Sequence, residues 1–388
     1  MPEPAPVRRH DIDHLRNIAV LLLLPFHAAR AFDTDPWHIK LGSGAGWADW
    51  IVRLIGQWHM PILFMMAGMS AWYALARRGA GTFARERLWR LGVPLVAGTL
   101  LLIPPQVYVE RISGVAGRIK PQPFEGGYAA FYPEFFACCY PQGNFSYHHL
   151  WFVFYLLVFS LLALPPFRWL AADGGRRLSR ALAWAAAGPR LFLLGIPLVA
   201  AELALRGRFP NWQDLIHDWA NNAHYVYLLL AGFAFAGVPA LNGAAVRLRH
   251  AALAAAVVLT AGWAAAIAEL PGGAYGGAYF VRVGLRTAGE WCWLLAFLGH
   301  ARVWLDRDLG ALTRFGRYAY PFYLWHQTAI VVLAYLLLSW PAPAPLLWLA
   351  LAIGGGILSW LGCRLADTSP ATRAAFGMRG PARAPRPA

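Results

Sequence analysis

The stretch HLRNIAVLLLLPFHAARAF, residues 14–32, decides how the chain is to be read. It is almost wholly apolar and close to the ~20 residues that a helix needs to cross a bilayer, yet it holds one arginine, Arg16, and one histidine, His27, with ten residues between them. Neither side chain belongs in hydrocarbon without a partner or a task. The rest of the composition extends the same reading: of 388 residues, 59% are hydrophobic and only 14% charged, with 19 tryptophans and a mean hydropathy of +0.44. That is the profile of a polytopic membrane protein. A net charge of +15 raises the question of nucleic acid, but the basic residues are scattered between apolar runs, and neither a basic, aromatic-interleaved patch nor a zinc-finger spacing occurs. No nucleic-acid partner is expected; the lipid bilayer is.

Ten apolar runs follow one another, at residues 15–32, 50–76, 88–111, 150–171, 190–205, 220–240, 250–270, 281–304, 318–340 and 345–365. The fifth is short and contains Pro197, and the seventh is rich in alanine and carries Glu269. With the N-terminus in the cytoplasm, the inner segments and helix ends collect twenty-four of the 34 Lys and Arg residues, among them Arg77, Arg78, Arg85, Arg87 and Arg90 before the third run. That bias follows the positive-inside rule, so the sequence predicts an all-α fold of about ten transmembrane helices with both termini cytoplasmic. The expected organisation is a cytoplasmic tail over 1–14, a transmembrane domain over 15–366 and a cytoplasmic tail over 367–388. No small-residue cleavage site follows the first run, which reads as an uncleaved first span. The outer segment 112–149 is too aromatic for a mere linker and is expected to fold back over the membrane face. No internal repeat and no separate soluble domain is apparent. Cys138 and Cys139 are adjacent, Cys292 and Cys363 lie in or near helices, and nothing has metal-ligand spacing, so no metal is expected and the cysteines carry little of the reading.

Eleven residues along an α-helix turn the chain by about three full turns plus ~20°, so Arg16 and His27 share one face about 16 Å apart in depth. Asp13, three residues before Arg16, joins that face. The first helix thus carries a polar stripe from the cytoplasmic surface towards mid-membrane, ending at an imidazole. His59 in GQWHMPILFMM falls at a similar depth on the second helix, His326 in YPFYLWHQ on the ninth, and Glu290 is buried on the eighth. Imidazoles from several helices are expected to converge on one pocket, with His59 and Glu290 at the substrate, although a neutral ring bonded to a neighbour accounts for His59 equally well.

These residues carry a resemblance. DIDHLRNIAVLLLLPFH resembles the first helix of the membrane acyltransferase family 3, whose signature is an arginine, ten residues and a histidine. WHMPILFMMAGMS, FARERLWRLGVP and YPFYLWHQ extend the likeness, and PFH, RLGVP and HLWFVFYL resemble the glucan biosynthesis protein C-like branch. The resemblance implies an enzyme that takes an acyl group, acetyl or succinyl, from cytoplasmic acyl-coenzyme A to a hydroxyl of a glycan beyond a bacterial inner membrane, with acyl-coenzyme A as co-substrate and no permanently bound cofactor. It further implies His27 as general base, and Arg16 on the donor or paired with Asp13 to fix the first helix. His326 then serves in oxyanion stabilisation or a second proton transfer, and Arg87 and Arg90 meet the phosphates of the donor. A polyanionic donor suits guanidinium forks at the inner mouth, and a buried neutral imidazole suits proton abstraction from a hydroxyl. The main alternative is a polytopic transporter of an anionic solute, which would also hold intramembrane His, Arg and Glu; the two related halves common in such proteins are not seen.

Overall fold

The computed structural model describes residues 9–42, 44–114, 123–172 and 175–378. The tails at 1–8 and 379–388, and positions 115–122 of the outer segment, lie outside the described residues. Every described regular element is helical, with no strand. In chain order the α-helices are α1 (His10–Ala29), α2 (Gly46–Gly56), α3 (His59–Leu75), α4 (Ala80–Arg87), α5 (Val93–Leu101), α6 (Ile103–Ile112), α7 (Tyr128–Glu134), α8 (Trp151–Leu162), α9 (Leu164–Ala171) and α10 (Gly175–Ala185). They continue with α11 (Ile196–Leu205), α12 (Trp219–Gly237), α13 (Pro239–Glu269), α14 (Gly277–Trp304), α15 (Ala311–Phe315), α16 (Ala319–Leu336), α17 (Ala344–Ala366) and α18 (Pro370–Ala375).

All ten apolar runs are helical, but they are not ten uninterrupted rods. The second run is two helices, broken at Gln57 and Trp58. Gly56 is a poor helix residue, and Pro61 lacks the N–H that would bond back to the Gln57 carbonyl. The fully buried Gln57 side chain turns instead to α14 and α13, donating to Arg286 O at 2.9 Å and accepting from Thr260 Oγ1 at 3.0 Å. The third run passes through a π-helical turn, Leu88–Gly92, and loosens at Leu102 ahead of Pro104 and Pro105. The fourth bends by 53° between α8 and α9, before Pro165 and Pro166. Among the described residues four helical stretches are long and apolar enough to cross a membrane unaided, Ala80–Ile112, Gly188–Leu205, Pro239–Glu269 and Ala344–Ala366, and the bent α8–α9 pair makes a fifth.

The chain divides into two compact units. One comprises Met1–Ala19, Gln57–Arg85 and Val158–Thr313. Here α13 pairs with α14 and α3 with α12. The second pairing is close because it runs through glycine: a Cβ on Gly68 would strike the Leu229 carbonyl, and one on Gly232 the Met65 carbonyl. The start of α1 is tied down in this unit, since Asp306 accepts from the backbone N–H of His10 at 3.0 Å and His14 spans Leu305 O at 2.8 Å and Thr313 Oγ1 at 2.9 Å.

The other unit comprises Val20–Gly56, Glu86–Leu157 and Arg314–Ala388. Its core gathers Ala28, Phe32, Trp37, Ile39 and Ala48 with Ile330, Val331, Ala334 and Leu351 of α16 and α17. The described part of the aromatic segment 112–149 packs onto α5 and α6. Phe131 and Phe135 are fully buried, Phe131 lies 5.4 Å from the Tyr108 ring, and Tyr132 OH donates to Leu100 O at 3.2 Å. Cys138 and Cys139 within it lie side by side, while Cys292 and Cys363 are free and buried.

Candidate active site

The second unit brings His27 and His326 together. His27 sits on the last turn of α1 and His326 on α16, with ring centroids 5.0 Å apart. His149, at the start of the turn into α8, lies 5.2 Å from His326. Trp37 covers His27 from the following loop, its ring nearly parallel at 6.2 Å and only 2% exposed. That loop is wired from within: Lys40 Nζ donates to Arg30 O at 2.9 Å and to Asp33 Oδ1 at 2.8 Å, and Arg30 donates to Pro36 O at 2.9 Å. The chain therefore presents Trp37 and His38 inward as a fixed pair.

The hydrogen bonds assign the ring protons. His326 Nδ1 faces the carbonyl of Tyr323, which only accepts, so Nδ1 carries the proton and the neutral ring keeps its basic lone pair on Nε2. His149 is the opposite tautomer. Its Nε2 donates to Leu324 O at 2.9 Å, and its buried Nδ1 has no partner among the described residues. Tyr323 OH closes the arrangement by donating to His149 O. Neutral imidazoles with their protons committed to backbone carbonyls are equipped to accept a proton.

Beside them runs a buried polar chain that the sequence reading did not single out. His38 Nδ1 lies 2.5 Å from Glu110 Oε2, with both side chains 1% exposed. Tyr140 OH donates to the other Glu110 oxygen at 2.8 Å, and Gln327 Nε2 approaches His38 Nε2 at 3.2 Å. The signals were weak in the sequence. Glu110 ends an apolar run next to Arg111, His38 stands in a polar loop, and Gln327 is the neighbour of His326.

The remaining expected residues fall elsewhere. Asp13, Arg16, His59 and Glu290 belong to the first unit. Arg16 Nη2 meets Asp13 Oδ1 at 3.0 Å, a partly exposed pair within α1. His59, 2% exposed, has Nε2 2.6 Å from Ala19 O, the satisfied-ring arrangement. Glu290, expected at the substrate, sits in an ionic cluster: its Oε1 is 2.8 Å from His224 Nε2, although not in hydrogen-bond alignment. His224 Nδ1 is 2.9 Å from Glu202 Oε1, and Arg206 grips Glu202 through Nε at 2.8 Å and Nη2 at 2.6 Å. Arg87 closes α4, half-buried, and Arg90 is exposed on the π-helical turn that follows. Among the described residues no His, Cys, Asp and Glu cluster has the form of a metal site.

In that cluster Glu202 and Glu290 are both buried, and the imidazole of His224 lies between them with an acceptor on each side. We predict that His224→Leu destabilises the folded protein by about 3 to 5 kcal/mol, because two buried carboxylates lose their shared partner. Thermal unfolding of the detergent-purified variant checks this; a melting temperature equal to wild type would contradict it.

The acyltransferase family 3, described as an acyltransferase domain, matches residues 9–364. The chain is also similar to the glucans biosynthesis protein C of Salmonella schwarzengrund strain CVM19633 and of Salmonella typhimurium strain LT2. It is 23% identical to each over 199 residues, which is 51% of this chain and 49% of theirs. The similarity to the Salmonella paratyphi B protein of the same name is 22% over 166 residues, covering 43% of this chain and 40% of that one. The chain thus spans about half the length of the curated relatives it matches. No solved structure matches. Its long apolar helices make it a multi-pass membrane protein, and with a match over nearly the whole of its length the chain belongs to the membrane acyltransferase family 3.

Proposed function

We propose that the protein is an O-acyltransferase of the bacterial inner membrane that moves an acetyl or succinyl group from cytoplasmic acyl-coenzyme A to a hydroxyl of an extracytoplasmic glycan, with periplasmic glucan the favoured acceptor. The observation that carries the reading is the pairing of His27 and His326 at 5.0 Å within a chain of this family. The name of the similar Salmonella proteins supports the glucan acceptor.

In this reading His27 takes the proton of the acceptor hydroxyl as its oxygen attacks the thioester carbonyl. The carbon–sulfur bond breaks, the ester forms, and the proton passes to the departing thiolate. The tautomer of His326 bears on its role: a lone pair on Nε2 accepts a proton and donates one only after protonation, which favours second proton transfer over oxyanion stabilisation by the neutral ring. Arg16, paired with Asp13, holds the cytoplasmic turn of the helix whose last turn carries His27. Arg87 and Arg90 meet the phosphates of the donor, and no resident cofactor is needed. His59 and Glu290 keep a substrate role only through the partners that hold them, Ala19 O and His224.

The same reading takes all ten apolar runs as crossings, with both termini inside. Cysteines placed at Gly44 and Gly126, in a background lacking the native four, are then labelled by an impermeant reagent added outside intact cells, and one at Gly79 is not; the reverse pattern would break this map.

Kinetics of two variants test the chemistry. His27→Ala is expected to remove transfer while protein abundance and donor binding persist, because a missing base affects the step rather than the fold. Replacing Arg87 and Arg90 together by lysine keeps the positive charge but loses the bidentate fork. Apparent donor affinity should fall by about tenfold or more, recoverable at high acyl-coenzyme A. Near wild-type transfer by His27→Ala would rule that residue out as the base, and wild-type donor affinity in the double lysine variant would remove those arginines from the donor site.

A further inference from the structure

The buried chain next to the imidazole pair can be read atom by atom from one fixed point. The carbonyl of Leu102 only accepts, and it receives the Thr328 hydroxyl at 2.9 Å and Gln106 Nε2 at 3.2 Å. Gln106 Nε2 also donates to Thr328 Oγ1 at 2.8 Å, so the orientation of that amide is set and its Oε1 must accept. It accepts from Gln327 Nε2 at 3.1 Å, which sets the second amide. The other hydrogen of Gln327 Nε2 points at His38 Nε2, 3.2 Å away, so that nitrogen bears the lone pair. The proton of His38 is therefore on Nδ1, where it meets Glu110 Oε2 at 2.5 Å. Glu110 receives a second neutral donor, Tyr140 OH at 2.8 Å.

Every link is satisfied with His38 neutral and Glu110 ionised. A second proton on His38 would face the N–H of Gln327, and the amides cannot turn without leaving a buried group opposed to the Leu102 carbonyl. The chain is a lock and not a proton store. Two of its links adjoin the residues of the imidazole pair. Gln327 is the residue after His326 on α16, and His38 is the residue after Trp37, whose ring covers His27.

We propose that Glu110 and His38, locked through Gln327, Gln106 and Thr328, are positioning residues that hold His27 under Trp37 and set His326 against it. This rests on the reading in which those two imidazoles act, and deepens it by naming what holds them. Hydrogen bonding and not charge carries the effect, so the conservative replacement discriminates. Glu110→Gln still accepts from His38 Nδ1, whereas Glu110→Ala frees the ring, and Gln327→Leu cuts the same chain on the other side of His38.

Two measurements on full-length protein in nanodiscs test it. Carbethoxylation of His27 by diethyl pyrocarbonate, followed by mass spectrometry, reports how well the ring is held and needs no turnover. Glu110→Ala and Gln327→Leu are expected to raise its rate severalfold, with Glu110→Gln within about twofold of wild type. With acetyl- or succinyl-coenzyme A and a glucan oligosaccharide, kcat should fall about tenfold or more in the first two variants at nearly constant KM for the donor, because a misplaced base costs rate rather than donor binding. Glu110→Gln should rescue most of it. Unchanged labelling of His27 in both Glu110→Ala and Gln327→Leu would overturn the proposal, as would a Glu110→Gln variant as impaired as Glu110→Ala. If labelling responds as expected but the wild-type protein transfers nothing, the positioning stands and the catalytic reading falls. Should Glu110→Ala fail to fold, Gln327→Leu and Glu110→Gln still decide the matter.

Discussion

Hydrocarbon offers no hydrogen bonds, so each polar side chain that these helices carry inward has to be met by another part of the protein. Much of the structure follows from that constraint. Gln57 ends a helix to reach Arg286 and Thr260, and the carbonyl of Leu102, loosened ahead of two prolines, becomes the anchor of a buried chain. Histidine serves well in this setting because a neutral ring is both a donor and an acceptor. His326, His149 and His59 each face a backbone carbonyl through one nitrogen.

Two buried carboxylate sites, one in each unit, meet the constraint differently. In one, ions answer ions: Glu202, Arg206, His224 and Glu290 form a cluster in which a buried carboxylate is gripped by two nitrogens of one guanidinium. Breaking such a pair is costly, which suits a fixed internal support. In the other, the Glu110 carboxylate is met by His38 Nδ1 and the Tyr140 hydroxyl, and the neighbouring His326 turns its Nδ1 to a backbone carbonyl. A low-dielectric site with neutral bases and dipoles already in place is the setting in which proton abstraction needs little reorganisation.

The helical class and the ten apolar runs were legible because hydrophobicity over about 20 residues is a local property. The interruptions were less so. The break at Gln57 depends on what its side chain finds on α13 and α14, a contact between residues far apart in the chain. At the site, the arginine, ten-residue gap and histidine stood out because a charge and an imidazole are conspicuous in an apolar helix, and His326 for the same reason. His38, Glu110 and Tyr140 sit in a loop, at a helix end and in the aromatic segment before α8, where polar residues are ordinary, and only folding brings them within hydrogen-bond reach. Glu290 drew attention by the same logic as His27, but its partners, Glu202 and Arg206 through His224, make it part of an ion cluster; a residue's burial is readable in sequence, its partners are not.

The central claim is that this membrane domain makes an ester from a thioester. The direct measurement is the release of free thiol from acetyl- or succinyl-coenzyme A by the purified protein in nanodiscs, with and without a glucan oligosaccharide, followed alongside ester formed on the sugar. The account predicts thiol release that rises on adding the glucan and matches the ester one for one. No thiol release and no ester in either condition, together with uptake of an anionic solute by vesicles carrying the protein, would contradict it and establish a transporter in its place.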